Sequence, residues 1–116
     1  MTTRLAGVLG FLGVILGAWG AHGLRSHLTQ LGTLHYWETA VLYHLIHAVA
    51  LLTIGMQGKF RARVARVAFF LGVLIFSGSL YLLAITGWKW LGAITPIGGL
   101  MFVLGWGSLL FTRSEY

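Results

Sequence analysis

Three histidines lie inside or beside long apolar stretches of the chain: His22, His44 and His47. His44 and His47 are three residues apart, so on a helix they share a face with Tyr43, about one turn from each other. Imidazole transfers protons near neutral pH and ligates metals and haem. The spacing therefore allows three interpretations: a hydrogen-bonded network that fixes the helices, a ligand, lipid-headgroup or proton-sensitive site, and a metal or haem site.

Hydroxyl side chains accompany the histidines in the apolar stretches. They are Ser77, Ser79, Tyr81 and Thr95. Carboxylates are scarce, because the chain has no Asp and its only Glu residues are Glu38 and Glu115. The absence of cysteine excludes thiol catalysis, disulfides and Cys-ligated metals, and no serine lies in a recognisable nucleophile motif. The sequence therefore predicts no catalytic residue, no cofactor and no metal, and favours the hydrogen-bonded network.

Four apolar runs must position these side chains. Only 9% of the residues are charged and 58% are hydrophobic, whereas soluble domains carry about 25% charged residues. Each run is close to the length of about 20 residues that a helix needs to cross the hydrocarbon core. We therefore predict an all-α fold, an integral membrane four-helix bundle that forms a single domain over residues 1–116. The predicted spans are residues 4–23, 37–57, 62–87 and 91–113.

Local signals refine the ends of these spans. Four leucines at helical spacing, Leu24 to Leu34, predict a short interfacial helix near residues 24–31 that breaks at Gly32. Glu38 should lie in the first turn of the second span, where a carboxylate meets the positive end of the helix dipole. Thr95-Pro96 allows two interpretations: Thr95 caps a helix whose first turn starts at Pro96, or Pro96 kinks a span that begins near Trp90. Gly92 and the two nearby Trp residues suit an interfacial entry and favour the cap.

Basic residues are concentrated between the second and third spans, and they predict the orientation. The cluster comprises Lys59, Arg61, Arg63 and Arg66, which are candidates for binding lipid headgroups. If this loop is cytoplasmic, it holds most of the Lys and Arg on the inner side, and both termini lie inside. Aromatic residues then fall at the outer interface: Tyr36, Trp37, Trp88 and Trp90. Because the charges sit between apolar runs, the net charge of +6 does not indicate a nucleic-acid partner.

Glycines are frequent, 17 in all, and several share helix faces. In lipid, small residues allow the helix backbones to approach closely. Gly10, Gly13 and Gly17 form such a face on the first span, together with Gly20 and Ala21. Ala68, Gly72, Ser79 and Thr86 form one on the third span, and Gly98 and Gly105 form one on the fourth. We predict that these are packing seams between helices.

The polar residues should converge on the outer half of the bundle. Counting from the predicted span ends places His22, Tyr43, His44, His47, Ser77, Ser79, Tyr81 and Thr95 in that half. Unpaired polar groups in hydrocarbon cost several kcal/mol, so these side chains should bond one another. We expect His47 to be buried and neutral and bonded to another helix, with Glu38 apart from it and nearer the surface.

Five motifs resemble those of a known family. They are Gly17–Gly23 (GAWGAHG), Trp37–Ala40 (WETA), Tyr43–Ala48 (YHLIHA), Phe76–Tyr81 (FSGSLY) and Thr95–Gly99 (TPIGG). In this order the chain resembles the small YgdD-like membrane family, domain of unknown function 423, which is related to a eukaryotic small transmembrane protein. The resemblance implies a four-span protein, in bacteria of the inner membrane, and implies no reaction. It also implies that position 44 tolerates another polar residue, which argues against an essential role for His44.

Three functions follow from these features. The first is a structural or accessory protein that binds the lipid bilayer, other membrane proteins or a second copy of itself. The second is a component of an oligomeric transporter or channel that uses the intramembrane histidines, since four spans without an internal repeat are too few for a transporter alone. The third is a metal- or haem-dependent membrane protein. The glycine seams and the lack of catalytic residues favour the first.

Overall fold

The chain is helical along almost all of its described length. The computed structural model describes residues 2–57 and 62–111. Its helices are α1 (Thr2–Ala21), α2 (Arg25–Leu31), α3 (Leu34–Gln57), α4 (Arg63–Gly72), α5 (Gly78–Thr86) and α6 (Thr95–Leu109). A π-helical segment, Val73–Ser77, joins α4 to α5, and a 3₁₀ turn, Lys89–Ala93, precedes α6. The all-α prediction is confirmed.

Four of these stretches are long and apolar enough to cross a membrane. They are Thr2–Ala21, Leu34–Gln57, Arg63–Thr86 and Lys89–Leu109, of 20, 24, 24 and 21 residues. At 1.5 Å per residue, each spans the hydrocarbon core of about 30 Å. The four predicted spans are confirmed, although the second begins at residue 34 rather than 37. The short helix predicted between the first two spans is also present, and it ends at Gly32, which has a positive φ of 71°.

The third span lies at the centre of the arrangement. α1 packs mainly against α3, α3 packs against the π-helical segment and α5, and α6 packs against α4 and the π-helical segment. Half of the third span's most apolar window is buried, against 22% for the first and fourth spans. The outward faces of α1 and α6 are therefore the large apolar surfaces left for lipid or for a partner.

Glycine contacts bring the spans together. A Cβ added at Gly13 would lie 2.6 Å from Leu45 Cδ2, and one at Gly17 would lie 3.2 Å from Val41 Cγ1, so α1 approaches α3 closely at both positions. On the other side of the molecule, Gly72, Gly98 and Gly105 face, respectively, the Phe102 ring, the Phe76 backbone and the Phe69 ring. Each of these five glycines thus lies where another helix leaves little or no space for a side chain.

Gly10 does not fit this pattern, and the prediction of a packing role for it is wrong. A Cβ there would meet nothing within 4 Å. Gly10 lies at the edge of the α1 face, whereas the residues that face α3 are centred on Leu9, Gly13 and Gly20. A small-residue stripe on a helix predicts a seam only where a neighbouring helix is present to fill it.

The π-helical segment was not predicted from the sequence. It lies where the third span contacts both of its neighbours, and Ser77, its last residue, is fully buried. Ser77 Oγ donates a hydrogen bond to the carbonyl of Ala40 on α3, 2.8 Å away. Gly98 of α6 packs directly against the backbone of Phe76 within the segment. One π turn inside an α-helix changes the direction of the side chains that follow it, and here it lies between α4 and the polar residues of α5.

The interfacial helix α2 closes the carboxyl end of the third span. The last carbonyls of a helix have no partner within the helix. Thr33 Oγ1 donates to the carbonyl of Ala84 at 2.6 Å, and His27 Nε2 donates to the carbonyl of Ile85 at 2.8 Å. Leu28, on the inner face of α2, is fully buried in a cluster with Trp37 and Ala84. The loop between spans 1 and 2 is therefore a fixed part of the fold.

Two further local predictions are corrected by the structure. Trp37 was assigned to the interfacial aromatic belt, but it is 2% exposed and donates from Nε1 to the carbonyl of Leu16 at 2.9 Å. Its ring lies against Gly20, whose lack of a side chain leaves the space on α1 that the ring occupies. Thr95 is not a helix cap: it is the first residue of α6, and Ile94 precedes it without a side-chain capping bond.

Candidate functional site: a polar network between the spans

His44 joins three of the spans. It lies on α3, is 4% exposed, and uses both of its ring nitrogens. Nε2 lies 2.7 Å from the carbonyl oxygen of Leu9 on α1, and Nδ1 lies 2.9 Å from the hydroxyl of Tyr81 on α5. His44 therefore links α1 and α5 to the helix between them, although the family resemblance argued against an essential role for it.

These partners determine the proton position on His44. A carbonyl oxygen only accepts hydrogen bonds, so Nε2 must carry the hydrogen that it donates to Leu9. In the neutral ring, Nδ1 is then the acceptor, and the Tyr81 hydroxyl donates to it. The arrangement satisfies both nitrogens and the phenol without a charge, which is the low-cost state in hydrocarbon.

His47 makes a second link, from α3 to α6. It is 2% exposed, and its ring stacks on Phe102 with the ring centres 3.7 Å apart. Nδ1 donates to the carbonyl of Tyr43 at 2.8 Å, and Nε2 accepts a hydrogen bond from the indole Nε1–H of Trp106 at 3.0 Å. Because an indole N–H can only donate, the ring must be neutral at Nε2. His47 is therefore buried and bonded to another helix, as expected, and the bonding pattern indicates a neutral ring.

The hydroxyl residues form two further links. Ser79 Oγ and Thr95 Oγ1 lie 2.6 Å apart and join α5 to the start of α6. Ser77 joins the π-helical segment to α3 through the Ala40 carbonyl. Among the described residues, no buried side-chain nitrogen or oxygen lacks a hydrogen-bond partner. The network is thus complete within the chain.

The predicted members of the cluster are not all brought together. His22 lies beyond the end of α1, is exposed, and its side chain forms no hydrogen bond with the described residues. Tyr43 is 39% exposed and contributes its ring, which packs against Phe76 and Phe102, and its backbone carbonyl. The grouping of His22 with the intramembrane residues is wrong, because α1 ends at Ala21 and the chain turns away into α2.

The depth of the network also differs from the prediction. His47 is the fourteenth of the 24 residues of α3, just past the middle of the helix, and its partner Trp106 lies in the last turn of α6. The polar contacts therefore extend from the α2 end of the molecule to beyond the middle of the spans. The estimate of depth failed because it counted from residue 37, whereas α3 begins three residues earlier.

A groove of about 760 Å³ runs beside His47, between α3, the π-helical segment and α6. It is lined by Tyr43, His47, Phe76, Gly99, Phe102, Val103, Trp106, Gly107 and Leu110. Since both His47 nitrogens are already bonded, the groove offers aromatic and aliphatic surface rather than a free ligand atom. Among residues 2–57 and 62–111, no group of three or more His, Asp or Glu side chains lies close enough to hold a metal ion.

The basic cluster is only partly described. Lys59 and Arg61 lie outside the described residues. Arg63 is exposed at the start of α4, and Arg66, one turn later, lines an open groove of about 540 Å³ between α4 and the start of α1. Binding of lipid headgroups by these four residues stays a prediction.

Some residues of the network were missed at the level of sequence. Trp106 is one of them, and an indole N–H inside an apolar span needs an acceptor. His27 falls in the predicted short helix near residues 24–31 and Thr33 in the connection after it, and their bonds to the end of the third span depend on where α2 lies. For Trp106 a usable signal existed, because it is the one tryptophan well inside a predicted span.

Comparison with known proteins places the chain in a family of membrane proteins. A profile of the family described as "Protein of unknown function (DUF423)" matches residues 16–99. A UPF0382 membrane protein of Staphylococcus haemolyticus is 46% identical over 103 residues, covering 86% of this chain and 84% of its own length. The UPF0382 membrane protein YwdK of Bacillus subtilis is 37% identical over 117 residues, covering 97% of this chain and 94% of its own length.

The likeness extends to a further bacterial group. A UPF0382 membrane protein of Haemophilus influenzae is 40% identical over 111 residues, covering 92% of this chain and 88% of its own length. No solved structure matches the chain. The matched region contains all five motifs from Gly17 to Gly99. The chain therefore belongs to the DUF423 family of small membrane proteins.

Proposed function

We propose that the protein is a structural or accessory protein of the inner membrane that binds other membrane proteins or lipid and catalyses no reaction. The observation that carries this proposal is the completeness of the polar network. Both nitrogens of His44 and both nitrogens of His47 are used by bonds within the chain. Side chains that are fully engaged in holding the helices together are not available to bind and transform a substrate.

The outward faces of α1 and α6 support a role in association. Phe11 and Val14 on α1 are 67% and 63% exposed, and Val103 and Leu104 on α6 are 65% and 54% exposed. These faces are apolar and have no partner within the described part of the chain. In a protein with so little mass outside the bilayer, they are the surfaces through which other membrane proteins or lipids can be bound.

The hydrogen bonds weigh against the two other functions. A proton relay through His47 requires Nε2 to take up a proton. Trp106 already donates a hydrogen bond to that atom, and its indole N–H could not accept one from a protonated Nε2. A metal or haem requires a free imidazole nitrogen, so binding would first break a bond of His44 or His47 at a cost of about 1–3 kcal/mol. Neither step has a compensating contact in the structure.

Site-specific cross-linking in native membranes tests the proposal. A photoreactive benzoylphenylalanine would replace Phe11 on α1 or Phe111 after α6, which are 67% and 87% exposed. We expect cross-links to another membrane protein, to a second copy or to lipid from at least one of these positions. Phe69, which is fully buried, is the control and should react only within the chain. Identical products at all three positions would contradict the proposal.

We further propose that both termini face the cytoplasm. The support is the basic cluster between the second and third spans, including Arg63, which is exposed at the start of α4. A reporter that fluoresces only in the cytoplasm, fused after Tyr116, should be active, and alkaline phosphatase at the same position should be inactive. The opposite pair of results would reverse the orientation.

A further inference from the structure

Glu38 has no structural role that the fold explains. It is the only acidic residue among residues 2–111, and its side chain is exposed. Because α3 begins at Leu34, Glu38 lies in the second turn, so the helix-dipole explanation predicted for it is wrong. It also forms no hydrogen bond or ion pair with the described residues. The fold thus leaves this exposed carboxylate, near the α2 end of α3, available to bind a ligand.

Glu38 lines a groove between α1 and α3, on the side of the molecule that carries α2. The groove has a volume of about 290 Å³. Its lining residues are Gly17, Gly20, Ala21, Arg25, Leu34, Trp37, Glu38, Val41, Leu42 and Leu45. Eight of these ten are apolar or small, and the remaining two are Arg25 and Glu38. The groove thus combines an apolar wall with one positive and one negative side chain.

The origin of this groove lies in the residues of α1. Gly17, Gly20 and Ala21 present almost no side chain, so the α1 backbone forms a smooth wall. Trp37 forms the base and cannot rotate freely, because its ring packs against Gly20 and its Nε1–H is bonded to Leu16. Arg25 is fixed at the first position of α2, which is held by Thr33 and His27 at the end of the third span.

The two charges select a class of headgroup. A phosphate is bound by a guanidinium, and a primary ammonium is bound by a carboxylate through charge-assisted hydrogen bonds. Phosphatidylethanolamine carries both groups. Phosphatidylglycerol has the phosphate but lacks the ammonium, so Glu38 would gain no cationic partner. Phosphatidylcholine has a quaternary ammonium without an N–H to donate. A volume near the lower limit of about 300 Å³ for ligand pockets fits a headgroup and the start of one acyl chain rather than a whole lipid.

We propose that this groove is a binding site for one phosphatidylethanolamine molecule, with Arg25 on the phosphate and Glu38 on the ammonium. The inference deepens the proposed function, since it rests on the protein binding lipid and names the lipid class and the site. The apolar wall formed by Val41, Leu42 and Leu45 then receives the upper part of an acyl chain.

Native mass spectrometry of the full chain in detergent tests the site. The chain is titrated separately with the palmitoyl-oleoyl forms of phosphatidylethanolamine, phosphatidylglycerol and phosphatidylcholine. We expect one phosphatidylethanolamine to bind about tenfold more tightly than either of the other two, which is the effect of one charge-assisted hydrogen bond. Glu38→Gln should abolish this preference by weakening phosphatidylethanolamine and not phosphatidylglycerol. Arg25→Gln should weaken both lipids, because both carry the phosphate.

Arg4→Gln is the matched control, because Arg4 is an exposed arginine near the start of α1, at the opposite end of that helix from the groove. It should leave the phosphatidylethanolamine preference unchanged. A thermal melt of each variant verifies that it is folded. Equal binding of the three lipids by the unmodified chain, or an unchanged preference in Glu38→Gln, overturns the site. The proposed function survives that outcome if the cross-linking experiment still yields partners, so the two failures are distinguishable.

Discussion

Replacing Gly98 by alanine should destabilise the protein far more than the same replacement at Gly107 on the same helix. Gly98 packs α6 against the π-helical segment, and a Cβ there would overlap the backbone nitrogen of Phe76 and lie 2.7 Å from its Cα and Cβ. Carbon atoms in contact are about 3.5–4.0 Å apart. Because the obstacle is mainly backbone, α6 would have to move away by about 1 Å, and the nearby contact between Gly72 and Phe102 would loosen with it.

The magnitude follows from two opposing terms. Overpacking of a tight interface costs about 1–3 kcal/mol, and alanine gains up to about 1 kcal/mol over glycine in helix propensity. At Gly107 a Cβ meets nothing within 4 Å, so only the second term applies. The propensity gain is the same at both positions and cancels, so we expect Gly98→Ala to be less stable than Gly107→Ala by the overpacking cost of about 1–3 kcal/mol.

Unfolding by titration with sodium dodecyl sulfate in mixed micelles, monitored by tryptophan fluorescence, measures this difference. The comparison between two identical substitutions on one helix removes general effects of the alanine side chain. If Gly98→Ala were as stable as Gly107→Ala, the close approach of α6 to the third span would be refuted.

Three further predictions concern single hydrogen bonds, each with a matched control, and all use the same unfolding assay. Trp106→Phe removes the donor to His47 and should cost about 0.5–2 kcal/mol, whereas Trp90→Phe, an exposed residue, should cost little; equal losses would place the His47 link in doubt. Tyr81→Phe removes the hydroxyl bonded to His44 and should lower the free energy of unfolding by about 1 kcal/mol, whereas Tyr43→Phe should leave it almost unchanged. An unchanged stability of Tyr81→Phe would argue against that bond. Thr33→Val should free the Ala84 carbonyl and cost about 1 kcal/mol, while Thr29→Val on the exposed side of α2 should not; a reversed order would contradict the anchoring of α2.

The length of the apolar runs was sufficient to predict the spans, and the leucine spacing was sufficient to predict the short helix between the first two. A run of about 20 apolar residues has one stable form in lipid, so composition alone determines that it is a helix. The leucine spacing in α2 and the left-handed Gly32 that ends it are likewise local properties. These features depend on neighbours in sequence, and the sequence therefore predicts them.

The pairing of side chains between helices could not be predicted in the same way. His47 and Trp106 are 59 residues apart, and their contact depends on the rotation and depth of α3 relative to α6. The π-helical segment lies where Gly98 of α6 closely approaches Phe76. No local sequence pattern predicts this contact between two spans. Trp37 was assigned to the interface from its type and position, whereas its burial depends on the space that Gly20 leaves on α1.

Cost arguments predicted that the polar residues would find partners but not which partners they would find. An unpaired hydroxyl or imidazole is expensive in hydrocarbon, so pairing of His44, Ser77 and Ser79 was expected. His22 escaped that requirement because it lies outside the spans, where exposure carries little cost. The error came from the last residue of α1, which is the least certain feature of any helix read from sequence.

The proton positions on the two intramembrane histidines test the central claim, that the network is complete within the chain. Nitrogen-15 NMR of histidine-labelled protein in phospholipid nanodiscs at pH 7.5 distinguishes the two neutral tautomers and the charged ring. The structure predicts a single tautomer for each residue: His44 with its hydrogen on Nε2 and His47 with its hydrogen on Nδ1. Added zinc should leave both spectra unchanged. A charged ring, a mixture of tautomers, or a zinc-induced shift at either residue would contradict the account.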